Sequence, residues 1–584
     1  MPIENLFQAA RENARTIGDR AAVVFVPDGP DSEIHRELTY AELDRGARRI
    51  AAWLQRHRSA GDRVILLYPP GTDFVEAFFG CLYAGMTPVP SPLPGNDGRA
   101  DRLRTILRAA DASTLLTDSE HLEELSTALD RVPGIVTAAT DSLAPADEDG
   151  WTEPDIGPDT LALLQFTSGS TSEPRGVMVS HRSLWHNLGL IAKTFGLREG
   201  LRTASWLPHY HDMGLIGGSL TAIRYGGTLW LMSPMSFLRD PFRWLALIDR
   251  YDIEISPAPN FAYDLCVRRI KPERAATLDL SGWRNALNGA EPVDPATLRR
   301  FERHFAVSGL APTAMRPCYG MAEVGLLVTG TEPDRRSTPV RVDAAALERR
   351  QFVLSDSEDG HTLVDSGPVP EDFELLIVDP GTRLPLADGR IGEIWLRGPS
   401  VAQGYWGQPD VTAATFGAYT SEDDGPYLRT GDLGVCHEGN LFVTGRIKEL
   451  IIVNGRNIYP QDLERRLPRL HPLLANGGSA AFGIQGDGQE RIVVIQELRT
   501  ADLDEASVQE LSDLVKAQLS QYAGTPVANV CFVKRGGVLR TTSGKVRRTA
   551  MRELFRTGTL RAEFEDLEPS IVKLYRNVGD LAGV

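Results

Sequence analysis

The sequence is poor in cysteine, has no long apolar run and lacks an excess of positive charge. Its five cysteines are scattered over 584 residues without a C-x-x-C pair, which excludes the common zinc patterns and a disulfide scaffold and fits a reducing compartment. No apolar run approaches the roughly 20 residues of a membrane-spanning helix, and the N-terminus lacks the apolar stretch of a secretory signal. The net charge of −16 argues against a general nucleic-acid binder, because phosphate backbones attract positive surfaces. We therefore expect a cytoplasmic protein without stable membrane insertion.

Short apolar runs alternate with amphipathic stretches along the first part of the chain, a pattern typical of layered α/β structure. Segments 21–26, 63–68 and 113–117 are predicted strands, and segments 40–57 and 96–112 are predicted helices. The chain is too long for one hydrophobic core, because single cores stop growing at roughly 250–300 residues. We therefore expect a large, subdivided α/β region and at least one separable domain.

The pattern changes near residue 370, where short alternating strands separated by turn residues predict a smaller β-rich region. After about residue 446 the helix and strand patterns predict a compact α+β domain. We place the boundary at GRIKEL, residues 445–450. The prediction is an N-terminal domain over residues 1–445 and a C-terminal domain over residues 446–584.

The loop TSGSTSEPRG, residues 167–176, lies between two apolar runs and has the composition of a phosphate-binding loop. Its glycines allow unusual backbone angles, and its N–H groups and hydroxyls can surround an anion. It is not a Walker loop, which requires G-x-x-x-x-G-K-[ST], because Gly176 is followed by Val177. Considered alone, a polar turn between two strands is an equally good interpretation.

Seven further motifs follow this loop, and together they identify a superfamily. They are WLPHYHDMGL (206–215), NGAEPV (288–293), RPCYGMAEVG (316–325), GEIWLRGPSVAQGYW (392–406), YLRTGDLG (427–434), GRIKELIIVNGRNIYP (445–460) and TTSGKVRR (541–548). In this order they resemble the adenylate-forming superfamily of acyl- and aryl-CoA synthetases, luciferases and peptide-synthetase adenylation domains. The resemblance covers nearly the whole chain. It implies a layered α/β N-terminal domain with a β-rich subdomain, a small mobile α+β C-terminal domain, and activation of a carboxylate by ATP and Mg²⁺.

The resemblance also assigns the nucleotide site residue by residue. The group placed around the β- and γ-phosphates is Thr167, Ser168, Gly169, Ser170 and Thr171. The group placed around adenine and ribose is Gly289, Ala290, Tyr319, Gly320, Met321, Asp432 and Arg446. In it, Tyr319 matches the ring stacked on adenine, and Asp432 with Arg446 matches the pair that holds the ribose; an acceptor-only carboxylate suits sugar hydroxyls. Arg175 stands where many relatives have lysine, and its part in binding stays open.

Three residues are implied in catalysis. Glu323 matches the Mg²⁺ ligand, as a hard cation prefers oxygen donors. Lys545 matches the lysine that contacts the carboxylate and α-phosphate oxygens during adenylation, and His211 matches an aromatic gate between the acyl and nucleotide pockets. Lys448 falls at the family's hinge. Rotation of the C-terminal domain at this hinge would turn the surface that carries Lys545 away from the site and bring in the surface around Gly455. The loop of Gly455 resembles the wall of the thiol-acceptor tunnel.

The acceptor of the acyl group distinguishes three branches: fatty acyl-AMP ligases, which serve an acyl carrier protein, acyl-CoA synthetases and amino-acid-activating domains. Residues 331–363 resemble the insertion of fatty acyl-AMP ligases, which is thought to restrict the C-terminal domain and disfavour free CoA. An ordinary acidic surface loop is the alternative. Asp212 lies near the position of the ammonium-binding Asp of amino-acid-activating domains, but the surrounding HDMG favours the fatty acyl branch.

We therefore predict a fatty acyl-AMP ligase that activates a medium- or long-chain fatty acid and passes it to a holo-acyl carrier protein. The basic segment 533–561 is either a docking surface for that acidic partner or a solvated tail. A fatty acyl-CoA synthetase and, less favoured, a stand-alone amino-acid-activating domain remain alternatives. A non-catalytic nucleotide- or lipid-binding relative is a further alternative of a different class.

Overall fold

The computed structural model of the chain describes residues 4–28, 36–94, 99–129, 134–144, 150–167, 174–357, 360–453, 456–475, 477–486, 489–498, 504–541 and 544–576. Its helices are α1 (Leu6–Thr16), α2 (Tyr40–His57), α3 (Thr72–Tyr83), α4 (Arg99–Ala109), α5 (Ser119–Leu129), α6 (His181–Phe195), α7 (Asp212–Gly214), α8 (Thr221–Arg224), α9 (Pro234–Arg239), α10 (Phe242–Arg250), α11 (Asn260–Arg269), α12 (Pro272–Ala275), α13 (Pro295–Phe305), α14 (Ala344–Glu348), α15 (Pro409–Phe416), α16 (Pro460–Leu470), α17 (Glu505–Ala523), α18 (Arg548–Arg556) and α19 (Pro569–Tyr575). A π-helical segment, Leu215–Leu220, joins α7 to α8, and short 3₁₀ turns span Thr140–Ser142, Ala306–Ser308 and Ala322–Val324.

The strands are β1 (Ala21–Val26), β2 (Arg36–Thr39), β3 (Arg63–Leu67), β4 (Thr87–Ser91), β5 (Thr114–Thr117), β6 (Val136–Ala139), β7 (Leu161–Thr167), β8 (Arg175–Ser180), β9 (Arg202–Ser205), β10 (Thr228–Met232), β11 (Ile255–Ala258), β12 (Asn285–Asn288), β13 (Met315–Gly320), β14 (Leu327–Gly330), β15 (Val340–Val342), β16 (His361–Leu363), β17 (Glu374–Val378), β18 (Gly392–Arg397), β19 (Leu428–His437), β20 (Asn440–Arg446), β21 (Ile451–Val453), β22 (Arg456–Ile458), β23 (Ser479–Gln485), β24 (Glu490–Leu498), β25 (Asn529–Lys534) and β26 (Ala562–Asp566).

The largest sheet has eight strands in the order β14-β13-β12-β11-β9-β10-β1-β2. Its six central strands, from β13 to β1, run parallel, and an antiparallel strand flanks them at each edge. The predicted strand 21–26 is β1, and its Val23 and Val24 are buried. Consecutive buried β-branched residues are expected in a parallel strand covered on both faces.

A second sheet, β4-β3-β5-β6, is entirely parallel. Helix α2, which packs on α3, has the bounds predicted from the sequence. It begins at a capping box in which Thr39 and Glu42 each accept the other's backbone N–H. Helix α4 ends at Ala109, short of the predicted end at residue 112, and residues 96–98 of the predicted helix lie outside the described residues. The helix ends before Asp111, whose φ of +47° lies outside helical geometry.

Two smaller β elements complete the region up to Arg446. The hairpin β7–β8 pairs from Leu161 with Ser180 to Thr167 with Arg175, so two residues of the TSGSTSEPRG motif, Thr167 and Arg175, lie opposite each other. The antiparallel sheet β17-β18-β19-β20 is the predicted β-rich region. Within residues 331–363, β15 and β16 form an antiparallel pair.

After Arg446 the chain forms the mixed sheet β23-β24-β25-β26. Alternate residues of β24 face opposite sides, as the period of a strand requires. Val494 packs in a cluster with residues of α16 and α17, and Val493 packs in another with residues of α18 and α19. This part is the predicted α+β unit.

The predicted α/β class is thus confirmed. Strand β20 continues to Arg446, one residue past the predicted boundary, and the division at 445 with a hinge at Lys448 remains a prediction. Within the part of the chain that the structure describes, no helix has both the length and the apolar character that crossing a bilayer demands.

Candidate functional site

Three predicted motifs meet at one edge of the eight-stranded sheet, where parallel strands end. Strand β9 ends at Ser205, β12 at Asn288 and β13 at Gly320. Open α/β sheets bind ligands beside the carboxyl ends of their strands. A cavity of about 1490 Å³ is lined by residues that follow all three strands and by residues from beyond Arg446.

This cavity brings together most of the predicted site residues. Its lining includes Thr167, His211, Ala290, Tyr319, Gly320, Met321, Glu323, Asp432, Arg446 and Lys545, together with Arg175, Asp212 and Lys448. Gly289 lies directly behind this lining, where an added Cβ atom would come within 2.8 Å of Cys318 Sγ. Ser168, Gly169, Ser170, Thr171 and Gly455 lie outside the described residues.

Asp432 holds two other predicted residues. Its Oδ2 accepts a hydrogen bond from the Tyr319 hydroxyl at 2.8 Å, and its Oδ1 accepts one from Arg446 Nε at 2.7 Å. Strand pairing places Asp432 opposite Arg446, so the contact follows from the register of β19 and β20. The Asp432 carboxylate raises the pKa of the Arg446 guanidinium. Burial raises the pKa of the Tyr319 phenol, which therefore stays a hydrogen-bond donor at neutral pH.

Glu323 lies in the 3₁₀ turn after β13 and contacts a tyrosine that the sequence did not single out. The Tyr405 hydroxyl donates to Glu323 Oε1 at 2.8 Å. Desolvation raises the pKa of the Glu323 carboxyl, and the hydrogen bond from Tyr405 opposes that rise. Arg175 lies near the same ring, with Cζ 5.2 Å from its centroid.

The NGAEPV loop has a strained backbone held by a buried asparagine. Ala290 has a φ of +70°, a conformation that costs a non-glycine residue on the order of 1–3 kcal/mol. Asn260 Nδ2 donates to the Pro292 carbonyl at 2.8 Å, and its Oδ1 accepts from Asn288 at 2.9 Å and from the Asp294 N–H at 3.1 Å. Asn260 therefore fixes both ends of the loop around the strained residue.

Lys545 projects into the cavity among carboxylates. Desolvation by the cavity walls lowers the pKa of its ammonium group, and the charges of Asp212, Glu291 and Asp432 oppose that effect. Because Lys545 lines the same cavity as Arg446, its ammonium group can meet an incoming phosphate there. Lys545 and the predicted nucleotide-binding residues therefore line one cavity, so Lys545 can reach a nucleotide bound there.

Close packing holds the lysine loop against the N-terminal region. Gly544 has a φ of +85°, and a Cβ atom there would lie 2.4 Å from Phe261 Cε1. Glycine therefore serves both the left-handed backbone and the close approach. Nearby, Arg465 donates to the Pro292 carbonyl at 3.0 Å, so the C-terminal part also contacts the NGAEPV loop.

An apolar wall lies beside His211 and Asp212. It is formed mainly by Ile191, Phe195, Leu207, Met213, Leu287, Leu326 and Leu327. The π-helical segment contributes Gly217, where an added Cβ atom would lie 3.0 Å from Leu326 Cδ2 and 4.0 Å from Met213 Cγ. A side chain at Gly217 would therefore crowd Leu326, and glycine allows the π-helical segment to approach the wall closely.

The insertion-like segment contacts the part of the chain beyond Arg446. Arg456 donates to both carboxylate oxygens of Glu348, at 2.7 and 2.8 Å, and Asn457 donates to the Glu348 carbonyl at 2.6 Å. His361 Nδ1 lies 3.7 Å from Asp462 Oδ2. Two separate points of residues 331–363 thus touch the C-terminal region.

The basic segment 533–561 is only partly available to a partner. Arg548 forms ion pairs with Glu449 at 2.5 Å and Glu464 at 2.7 Å, and its side chain is 17% exposed. Lys545 faces the cavity. Apart from Lys545, the exposed cations among the described residues of this segment are Lys534, Arg535, Arg540, Arg547, Arg556 and Arg561.

Sequence reasoning missed three residues of the site: Tyr405, Glu291 and Asn260. The first two lie inside motifs that were recognised, GYW and NGAEPV, but no role was assigned to them. Asn260 lies outside every motif, and its hydrogen bonds to a loop that starts 28 residues later depend on the sheet topology. For Tyr405 and Glu291, the signal that the sequence offered was a polar residue inside a recognised motif with no role assigned to it.

Comparisons with known proteins agree with this geometry. Residues 10–406 match the family model of the AMP-binding enzyme. The medium-chain fatty acid–[acyl-carrier-protein] ligase JamA of Moorena producens is 39% identical, covering 93% of each chain. The long-chain fatty acid–AMP ligase FadD32 of Mycobacterium marinum is 34% identical, covering 96% of this chain and 95% of its own. A fatty acyl-adenylate ligase from L. pneumophila, solved with acyl adenylate and pyrophosphate, is 36% identical with a TM-score of 0.75, covering 94% of this chain and 96% of its own.

Proposed function

The chain belongs to the AMP-binding enzyme family and, within it, to the fatty acyl-AMP ligases, and we propose that it uses ATP to convert a medium- or long-chain fatty acid into an acyl adenylate and then transfers the acyl group to the phosphopantetheine thiol of an acyl carrier protein. The predicted superfamily and ligase class are confirmed by this membership. The supporting observation is a single cavity that combines Asp432, Glu323 and Lys545 with an apolar wall. The free thiols of all five cysteines support the cytoplasm as part of this proposal.

In the adenylation step a fatty carboxylate oxygen attacks the α-phosphorus of ATP, and the bond to the departing pyrophosphate breaks. Lys545 neutralises the charge that the carboxylate and α-phosphate oxygens share during attack. Asp432 accepts hydrogen bonds from the ribose hydroxyls, and Tyr319 with the Gly289–Ala290 backbone flanks the adenine. Thr167 and the loop after it hold the pyrophosphate.

The residues around Glu323 fit a Mg²⁺ ion. A carboxylate has about four lone-pair sites, and the Tyr405 hydroxyl engages one Glu323 oxygen, which leaves acceptor capacity toward the cavity. The pKa of Glu323 is raised by desolvation, so a bound cation would stabilise its charged form. When bound, Mg²⁺ would share the phosphate charge.

The apolar wall is the proposed acyl site, and Gly217 is the residue whose enlargement should shorten it. In Gly217→Leu the new side chain would crowd Leu326 and push apolar side chains of the wall into the acyl site. We expect kcat/KM for palmitate to fall about tenfold or more relative to octanoate, as overpacking a well-filled site costs about 1–3 kcal/mol. The measurement is fatty-acid-dependent ATP–pyrophosphate exchange over a chain-length series.

Gly218→Ala is the control, because its Cβ atom would lie 3.4 Å from Ser205 Cβ, an ordinary contact. An unchanged chain-length preference in a folded Gly217→Leu protein would place the acyl chain elsewhere.

His211, at the edge of the same wall, is the proposed gate between acyl and nucleotide compartments.

The carrier protein is favoured over free CoA as acceptor because residues 331–363 touch the C-terminal region. Two contacts link the segments, the bidentate Glu348–Arg456 pair and the His361–Asp462 contact. They would oppose the rotation about Lys448 that the thiol-transfer step requires. The binding energy of a docked carrier protein would help to overcome these contacts, whereas free CoA would contribute less binding energy. The exposed cations of segment 533–561 are the proposed docking surface.

Glu348→Ala should therefore raise acyl-CoA formation by roughly threefold to tenfold, because partly exposed charged contacts contribute about 0.2–1 kcal/mol each and bidentate ones more. The measurement is acyl-CoA yield by mass spectrometry at fixed CoA. Asp356→Ala, which removes an exposed acid of the same segment, should leave the yield unchanged. Equal yields from both variants would argue against a restraining role for the Glu348–Arg456 pair.

The proposed adenylation activity is tested by ATP–pyrophosphate exchange with and without added fatty acid. The account predicts exchange that depends on the fatty acid and on Mg²⁺. Exchange with an amino acid instead, or with no carboxylate, would contradict it.

A further inference from the structure

A four-residue segment, 403–406, extends the edge of strand β8. The Gln403 N–H donates to the Met178 carbonyl at 3.0 Å, the Met178 N–H to the Gly404 carbonyl at 2.9 Å, and the Trp406 N–H to the Gly176 carbonyl at 2.8 Å. Strand β8 leaves the phosphate loop at Arg175. The backbone of this segment is therefore fixed to the loop that is proposed to hold pyrophosphate.

The side chain of Tyr405 is fixed as firmly as its backbone. It is 4% exposed, its ring packs edge-on against Phe416 with centroids 5.2 Å apart, and its N–H donates to Thr412 Oγ1 at 2.9 Å. A tyrosine held on several sides has little rotamer freedom. Its hydroxyl thus has a defined position.

Glu323 is held by this same segment at two points. The Tyr405 hydroxyl donates to Glu323 Oε1 at 2.8 Å, and the Ala402 N–H donates to the Glu323 carbonyl at 2.9 Å. A hydrogen bond to a charged group contributes about 1.5–3 kcal/mol. The main chain and the carboxylate plane of Glu323 are therefore both set from residues 402–405.

Arg175 also contacts Tyr405. Its Cζ lies 5.2 Å from the ring centroid, within the range of a cation–π contact, and the residue lines the cavity near Thr167. A planar guanidinium stacks on a ring in a way that the ammonium of the usual lysine does not. This contact gives Arg175 a partner that the sequence left unidentified.

We infer that Tyr405 is a positioning residue that couples Glu323 to Arg175, so that the proposed metal carboxylate and a cation of the phosphate loop are oriented together. The inference rests on the proposed function, because it takes Glu323 as the Mg²⁺ ligand. Tyr405 itself does not touch the reacting atoms. Its effect is on how well Mg²⁺ and the phosphates of ATP are held at the same time.

The test is Tyr405→Phe, which removes the hydroxyl and keeps the ring. We expect the MgCl₂ concentration for half-maximal binding of a fluorescent ATP analogue to rise about tenfold, the lower end of the effect of a lost hydrogen bond to a charged group. Binding of the analogue without Mg²⁺ should stay unchanged. Tyr419→Phe, which removes the hydroxyl of a tyrosine that is 47% exposed, is the control and should match the unmodified protein.

Arg175→Gln provides a second measurement that does not depend on the folding of Tyr405→Phe. It removes the stacked cation, and the coupling predicts a smaller rise in the MgCl₂ requirement, about threefold for a cation–π contact of about 0.5–1 kcal/mol. The double variant should show a rise smaller than the product of the two single rises. An unshifted MgCl₂ requirement in Tyr405→Phe, or independent effects in the double variant, would overturn the inference.

The inference and the proposed function can fail separately. If the unmodified protein shows no fatty-acid-dependent exchange, the proposed function fails. If it shows exchange but Tyr405→Phe retains the original MgCl₂ requirement, the function stands and the positioning role of Tyr405 is wrong.

Discussion

Lys545→Ala is expected to lower fatty-acid-dependent adenylate formation at least about 10²-fold, the usual loss when one preorganised charge donor is removed from a transition state. Lys545 is the cation that projects among Asp212, Glu291 and Asp432. Without it, the oxygens of the attacking carboxylate and of the α-phosphate would repel each other. The measurement is the rate of acyl-adenylate formation in a single turnover.

The Lys545 variant should still transfer the acyl group from supplied acyl adenylate to a holo-carrier protein, because we propose that the thiol step uses the face around Gly455 and not Lys545. Lys573→Ala removes an exposed lysine of α19, outside the proposed docking segment 533–561, and should retain full activity in both steps. A Lys545→Ala protein that forms adenylate at the original rate would refute the assignment. Equal losses in both steps would indicate damage to the fold.

Asp432→Ala is expected to weaken ATP binding by about 10²-fold or more, since a hydrogen bond to a carboxylate contributes about 1.5–3 kcal/mol and two ribose hydroxyls would lose their acceptor. The change also removes the partner of the Tyr319 hydroxyl and of Arg446, so the adenine side of the pocket loses its order. The measurement is the Kd of ATP by calorimetry.

Asp410→Ala, which removes an exposed acid of α15, is the matched control and should bind ATP normally. Thermal unfolding shows whether the Asp432→Ala protein is folded. We expect it to fold, because the Arg446 side chain is 54% exposed and water can solvate it when Asp432 is removed. A folded Asp432→Ala protein with the original Kd would exclude Asp432 from the ribose site.

Local patterns were sufficient for much of the fold. Helix α2 has its predicted bounds because its capping box and apolar spacing are both local, and β1 follows from a run of buried β-branched residues. Helix α4 ended earlier than its pattern suggested. The order of the eight-stranded sheet depends on pairing between distant segments, which periodicity does not encode.

The site shows the same difference between what local sequence patterns predict and what depends on contacts between distant segments. The motifs identified Asp432 and Arg446 separately, and the register of β19 and β20 explains why they meet. The contacts of Arg175 were not predictable, because its ring partner is 230 residues away and reaches it through an added segment beside β8. The roles of Ser168, Gly169, Ser170 and Thr171 remain predictions from the resemblance.

A single competition experiment distinguishes a carrier protein from free CoA as the acceptor of the acyl group. The protein is incubated with ATP, Mg²⁺, a fatty acid and both CoA and a holo-acyl carrier protein, and the products are measured by mass spectrometry. We expect the acylated carrier protein, with the fatty acyl group on its thiol, as the main product. Free acyl adenylate should be present and little acyl-CoA should form. Acyl-CoA as the main product would contradict this expectation and identify a fatty acyl-CoA synthetase.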